Sequence, residues 1–81
     1  MPIKYRRNLA VFTDVVTVEE AEPLLAWAQQ KREPRADLGD CSHLHPANLQ
    51  VLMASRTQVT AWPADAHLSQ MLQTVLRSHG D

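Results

Sequence analysis

Apolar and polar residues alternate in two short stretches, near either end of the chain, and apolar residues recur at helical spacing in three longer ones. Ile3-Lys4-Tyr5-Arg6-Arg7 alternates briefly and predicts a short edge strand. Asn8 predicts a turn and Leu9-Ala10-Val11-Phe12 a second strand, so the chain opens on a small hairpin, with Asp14-Val15-Val16 leading out of it. Thr17-Val18-Glu19-Glu20 matches a capping box, in which the Thr17 hydroxyl accepts from a free first-turn N–H and Glu20 reaches back. Glu19, Glu20 and Glu22 sit where the helix dipole favours negative charge, and Pro23 lies near enough to the start to be tolerated. Val18, Ala21, Leu25 and Ala28 form the inward stripe, widened by Leu24; Lys31 and Arg32 suit the helix end, and Pro34 enforces the stop.

The central stretch from Ala36 to Leu52 reads as a strand, a tight polar loop and the start of an apolar helix. Arg35-Ala36-Asp37-Leu38 is the strand, and Gly39 and Asp40 mark the turn. Pro46 is placed as the first residue of a helix, where its missing N–H costs nothing. Ala47 to Ser55 continues that helix, with Leu49, Leu52 and Met53 facing inward, Val51 partly so, and Arg56 at the end. Thr57-Gln58-Val59-Thr60-Ala61-Trp62 alternates and is rich in β-formers, so it predicts a further strand broken by Pro63. Asp65 caps or charges the first turn of a last helix with the stripe Leu68, Met71, Leu72, Val75 and Leu76, stopped at Gly80. The order β(β)αβαβα predicts one small α/β domain over residues 1–81, with a mostly parallel sheet, right-handed crossovers and helices largely on one face. An uncovered apolar sheet face would be an interaction site.

Composition narrows the function classes. A formal charge of −1 supplies no broad field for gathering phosphate backbones, which argues against nucleic acid as a partner. The one basic run, Lys4-Tyr5-Arg6-Arg7, reads as a solvated strand edge that discourages edge-to-edge pairing. A single cysteine cannot close an intramolecular disulfide and suits a reducing cytosol, and no apolar run is long enough to span a membrane. The N-terminus does not read as a signal peptide, so a cytoplasmic location is expected.

Candidate chemistry is sparse. Cys41, His43 and His45 alternate, so in an extended loop they could converge on a metal ion, but a fourth ligand for structural zinc is missing. A Cys41–His43 nucleophilic pair lacks an orienting third group. The first turn of the Pro46 helix offers N–H groups to an anion, yet Gly39 stands alone and no glycine-rich loop precedes it. Asp37 reads as a loop-shaping acceptor, because no second carboxylate is placed to tune it as a base. Trp62 reads as a lid on the core. Trp27 lies off the main stripe and is either an interface anchor or edge packing. No cofactor is expected, and no catalytic apparatus is legible.

The layout, with Asp37-Leu38-Gly39 ending a strand and Ala47-Asn48-Leu49-Gln50-Val51-Leu52 in the helix that follows, resembles the STAS domain of anti-sigma factor antagonists and sulfate-transporter tails. The segment from Val15 to Leu24 is similar to the one that enters the family's first helix, and the resemblance covers roughly residues 9–76. It departs where the family is regulated. The phosphorylatable serine falls on Pro46, the aspartate before it on His45, and the family glycine on Asn48. Ser42 is no substitute, and the N-terminal strand region is abbreviated. The resemblance implies a non-enzymatic regulatory or adaptor protein without a serine phosphoswitch. Its partner would be another protein, kinase-like or a sensor, docked around residues 40–53 through His43, His45, Pro46, Asn48, Leu49, Gln50 and Met53, with Trp27 as a further anchor. The alternative is self-association, as a homodimer or larger assembly, through the sheet face or an edge strand. A metal- or thiol-dependent site at Cys41, His43 and His45 is the third reading.

Overall fold

The computed structural model describes residues 2–80, with side chains from 2 to 76. One sheet has the strand order β1 (Ile3–Tyr5), β2 (Leu9–Val16), β3 (Arg35–Leu44) and β4 (Gln58–Ala61). β1 is antiparallel to β2, while β2, β3 and β4 run parallel. A helix follows each parallel strand: α1 (Ala21–Gln29), α2 (Pro46–Ala54) and α3 (Ala66–Gly80). The result is a small α/β domain with a mixed, mostly parallel sheet. Each crossover steps to the next strand in the same direction, so α2 packs between α1 and α3. Ala10, Phe12, Ala36 and Leu38 are buried, while their neighbours Leu9, Val11, Arg35 and Asp37 stay partly or wholly exposed on the opposite face. The core joins Ile3 and Phe12 to Leu24, Leu38, Leu52 and Leu72, so every helix contributes to it. Each such side chain contributes about 1.5–3 kcal/mol by leaving water.

The polar loop expected at Gly39-Asp40 is absent, because β3 continues through it to Leu44. Register explains how. Between Val11 and Thr13 of β2, and again between Asp14 and Val15, β3 carries one residue more than its partner. Each bulge resets which side chains face inward. The buried residues of β3 are therefore Ala36, Leu38, Cys41 and Leu44, a spacing that simple alternation cannot produce. Asp37 is the acceptor expected of it, but inside the strand: its Oδ1 takes the Gly39 N–H at 2.9 Å. A side chain at Gly39 would meet that same oxygen at 3.2 Å, so the position favours glycine by crowding. Asp14, opposite Cys41 at the second bulge, takes φ 54°.

The capping box at Thr17 does not form. Val18–Glu20 is a 3-10 turn without a side-chain cap, and the Thr17 carbonyl, not its hydroxyl, accepts the Glu20 N–H at 3.1 Å. Glu20 Oε1 is buried without a hydrogen-bond partner. The tighter turn rotates Val18 off the expected stripe and leaves it 52% exposed. α1 ends at Gln29, so Lys31 and Arg32 lie beyond it. In α3 the expected cap is present, with Asp65 Oδ1 accepting the Leu68 N–H at 2.9 Å. Leu72 is its buried centre, whereas Met71 is 48% exposed, off the inward stripe. The stop expected at Gly80 falls at the last described position, and the helix end lies outside the described residues.

Candidate functional site

The ends of β2 and β3 meet the first turn of α2. Val16 and Leu44 pair across the two strands, and the His45 N–H donates to the Val16 carbonyl at 3.0 Å. His45 is the N-cap residue of α2: its Nδ1 accepts the Ala47 N–H at 3.0 Å. An imidazole thus does the work usually done by an Asp, Ser or Asn oxygen, and that bond requires Nδ1 to be free of a proton. Pro46 occupies the first helical position as the sequence predicts.

Asn48 corrects the sequence reading most sharply. It is 0% exposed, and its Nδ2 donates to the Thr17 carbonyl at 2.7 Å, while Oδ1 is buried without a partner. It pins α2 to the β2 exit and presents nothing to a docking protein. Leu49 packs against the core, and Met53, about 10 Å along the helix from Pro46, is half-buried. Trp27 is also half-buried, its ring 5.4 Å from that of Tyr5 and tilted by 41°. Tyr5 pairs with Ala10 near the start of β2, so Trp27 belongs to the opposite end of the sheet from His43. It is edge packing.

What remains at this end is exposed His43, Pro46 and Gln50, joined by two residues the sequence analysis did not select. Val15 is 50% exposed and pairs with His43, and Val18 is 52% exposed on the turn that packs beside α2. Val15 was legible: with Ala10, Phe12 and Val16 facing in, an odd-numbered neighbour must face out. Val18 was not, because its exposure depends on the 3-10 turn.

Cys41 and His43 point apart. Cys41 is buried, and its Sγ lies 3.4 Å from the His43 carbonyl oxygen, to which the thiol donates; His43 itself is in solvent. Burial pushes the Cys41 thiol above its ordinary range, partly opposed by that hydrogen bond, which is the reverse of nucleophile activation. Among the described residues no group of three His, Cys, Asp or Glu side chains is placed to hold a metal ion.

The topology also sorts the charges. Asp14, Glu19, Glu20, Glu22, Asp40 and Asp65 lie where the parallel strands end and the helices begin. Arg6, Arg7, Lys31, Arg32, Arg35 and Arg56 lie at the other end, with Glu33 and Asp37 the exceptions. The arrangement suits the helix dipoles, whose positive ends face the carboxylates. It also gives a chain of net charge −1 an acidic and a basic end.

No family model matches the chain, and no curated protein matches it. No helix among the described residues is long and apolar enough to cross a membrane.

Proposed function

We propose that the chain is a non-enzymatic docking module, regulatory or adaptor in kind, that binds another protein through the carboxyl-terminal end of its sheet. The observation that carries this reading is that Val15, Val18, His43, Pro46 and Gln50 are all exposed around this end of the sheet, two half-exposed valines among polar side chains. An apolar centre with a polar rim is the anatomy of a protein interface, and the ends of parallel strands are where α/β folds bind. Asp14 and Glu19 are exposed chain neighbours of Val15 and Val18, so the partner surface would be apolar with a basic rim. The STAS-like reading agrees with this placement, since the segment around residues 40–53 supplies much of the patch. Pro46 has no hydroxyl, so a kinase-like or sensor partner would act by binding and not by phosphorylating that position.

The test is native mass spectrometry of the tagged protein recovered under gentle conditions, followed by Val15→Asp and Gln50→Glu. Both side chains are exposed, so the variants should keep the wild-type circular dichroism spectrum. A stoichiometric partner that both variants lose supports the reading. A partner retained at wild-type affinity by both variants overturns it.

A further inference from the structure

The last strand and helix of the domain form a flank with a different character from the rest. Of the chain's 8 basic and 9 acidic residues, only Asp65 lies between Thr57 and Leu76. Depletion of charge is a compositional mark of interfaces. β4 is the outer strand on this side of the sheet. At the opposite edge, β1 carries Lys4 and runs into Arg6 and Arg7, which guard it against pairing, and β4 has no such guard.

The flank is also hollow. One open cavity of about 570 Å³ lies between the Pro63-Ala64 turn and the Ser69 and Gln73 side of α3. A second, of about 290 Å³, lies between β4 and the half-buried Trp62 and Leu76. Every side chain lining either cavity is uncharged.

Arg56 precedes this stretch at the basic end of the sheet, and Asp65 lies at the acidic end. We propose that the flank pairs with the same flank of a second copy about a two-fold axis, with the two β4 strands antiparallel. In that orientation each Arg56 lies beside the other copy's Asp65, the uncharged centres face each other, and the bipolar charge of each domain is set against its opposite. A parallel arrangement would put like charges together. The surface is self-complementary in the way a two-fold interface requires. A register shift at Thr60 interrupts the regularity of β4, so side chains along the flank, led by Trp62 and Leu76, make the contact instead of an added strand ladder.

Sedimentation equilibrium of the purified full chain tests this directly. The expected result is a reversible monomer–dimer equilibrium. Gln58→Glu, two residues from Arg56 at the basic end, sets a carboxylate against the other copy's Asp65, and Arg56→Glu does the same; both positions are exposed, and each variant is expected to weaken association roughly tenfold. His43→Glu, at the other candidate surface, is expected to leave it unchanged. Hydrogen exchange of the unmodified protein gives a second reading: backbone protection over residues 57–76 should fall on dilution. A monomer at every concentration overturns the proposal. So does a dimer indifferent to both glutamates, or one whose dilution-sensitive protection lies outside 57–76.

Discussion

The Asn48 side-chain amide donates to the backbone carbonyl of Thr17 at 2.7 Å, and this one bond ties the first turn of α2 to the exit of β2. Asn48→Ala would leave that carbonyl without its side-chain donor and is expected to cost about 1–3 kcal/mol. Asn48→Asp should cost more, because a carboxylate cannot donate and the site is fully buried. Urea denaturation midpoints of the three proteins measure this order. An Asn48→Asp variant as stable as the parent would show that the bond does not matter.

His45 supplies the α2 cap through Nδ1. His45→Ala is expected to lose about 1 kcal/mol, and His45→Asn, which restores a capping oxygen, to lose much less. Thermal unfolding separates the two. Equal losses would mean that the imidazole ring's packing, and not its hydrogen bond, is what matters.

α2 closes with a Schellman motif. The Thr57 N–H bonds the Leu52 carbonyl at 3.1 Å and the Arg56 N–H bonds the Met53 carbonyl at 3.3 Å, which forces Arg56 to φ 56°. Glycine takes this conformation without the clash an L side chain suffers. At dilutions where the chain is monomeric, Arg56→Gly should therefore stabilise the fold by about 1 kcal/mol, an increase in Tm of roughly 4–8 °C for a domain of this size. An unchanged or lower Tm would mean that the guanidinium contributes as much as the strain costs.

Two buried groups set an alkaline limit. Burial raises the Cys41 thiol above its ordinary 9.0, and burial followed by the Glu20 carboxylate raises the Tyr5 phenol above its ordinary 10.0. Both stay protonated in the fold at a pH where the unfolded chain has released its protons. Their stabilising contribution is whole below the ordinary values and is lost as pH rises through the raised ones. Stability should decline above about pH 9, and Cys41→Ala and Tyr5→Phe should each flatten that decline. Tyr5→Phe also removes a buried hydroxyl that has no partner, so at neutral pH it should be neutral or stabilising. Denaturation midpoints between about pH 7 and pH 11 decide the matter, and parallel curves for all three proteins would contradict it.

The comparison of pattern with structure turns on a few residues. Element order, the Pro46 helix start, the Asp65 cap and the core positions Leu24, Leu52 and Leu72 were legible, because local propensity and burial periodicity act together there. The candidate site was legible only in part. His43, Pro46 and Gln50 are at the surface as expected, while Asn48 turned inward and Val15 and Val18 outward.

The sequence by itself determined a small α/β domain with its strands and helices in this order, since those follow from side-chain period and from where the prolines stand. Tertiary structure decided the rest. The two bulges that carry β3 through Gly39, Asp40 and Ser42 exist only against β2, because a bulge is defined by the partner strand it slips against. The separation of acidic from basic ends arose only when parallel strands brought distant segments to the same edge of the domain, which no reading of net charge could show.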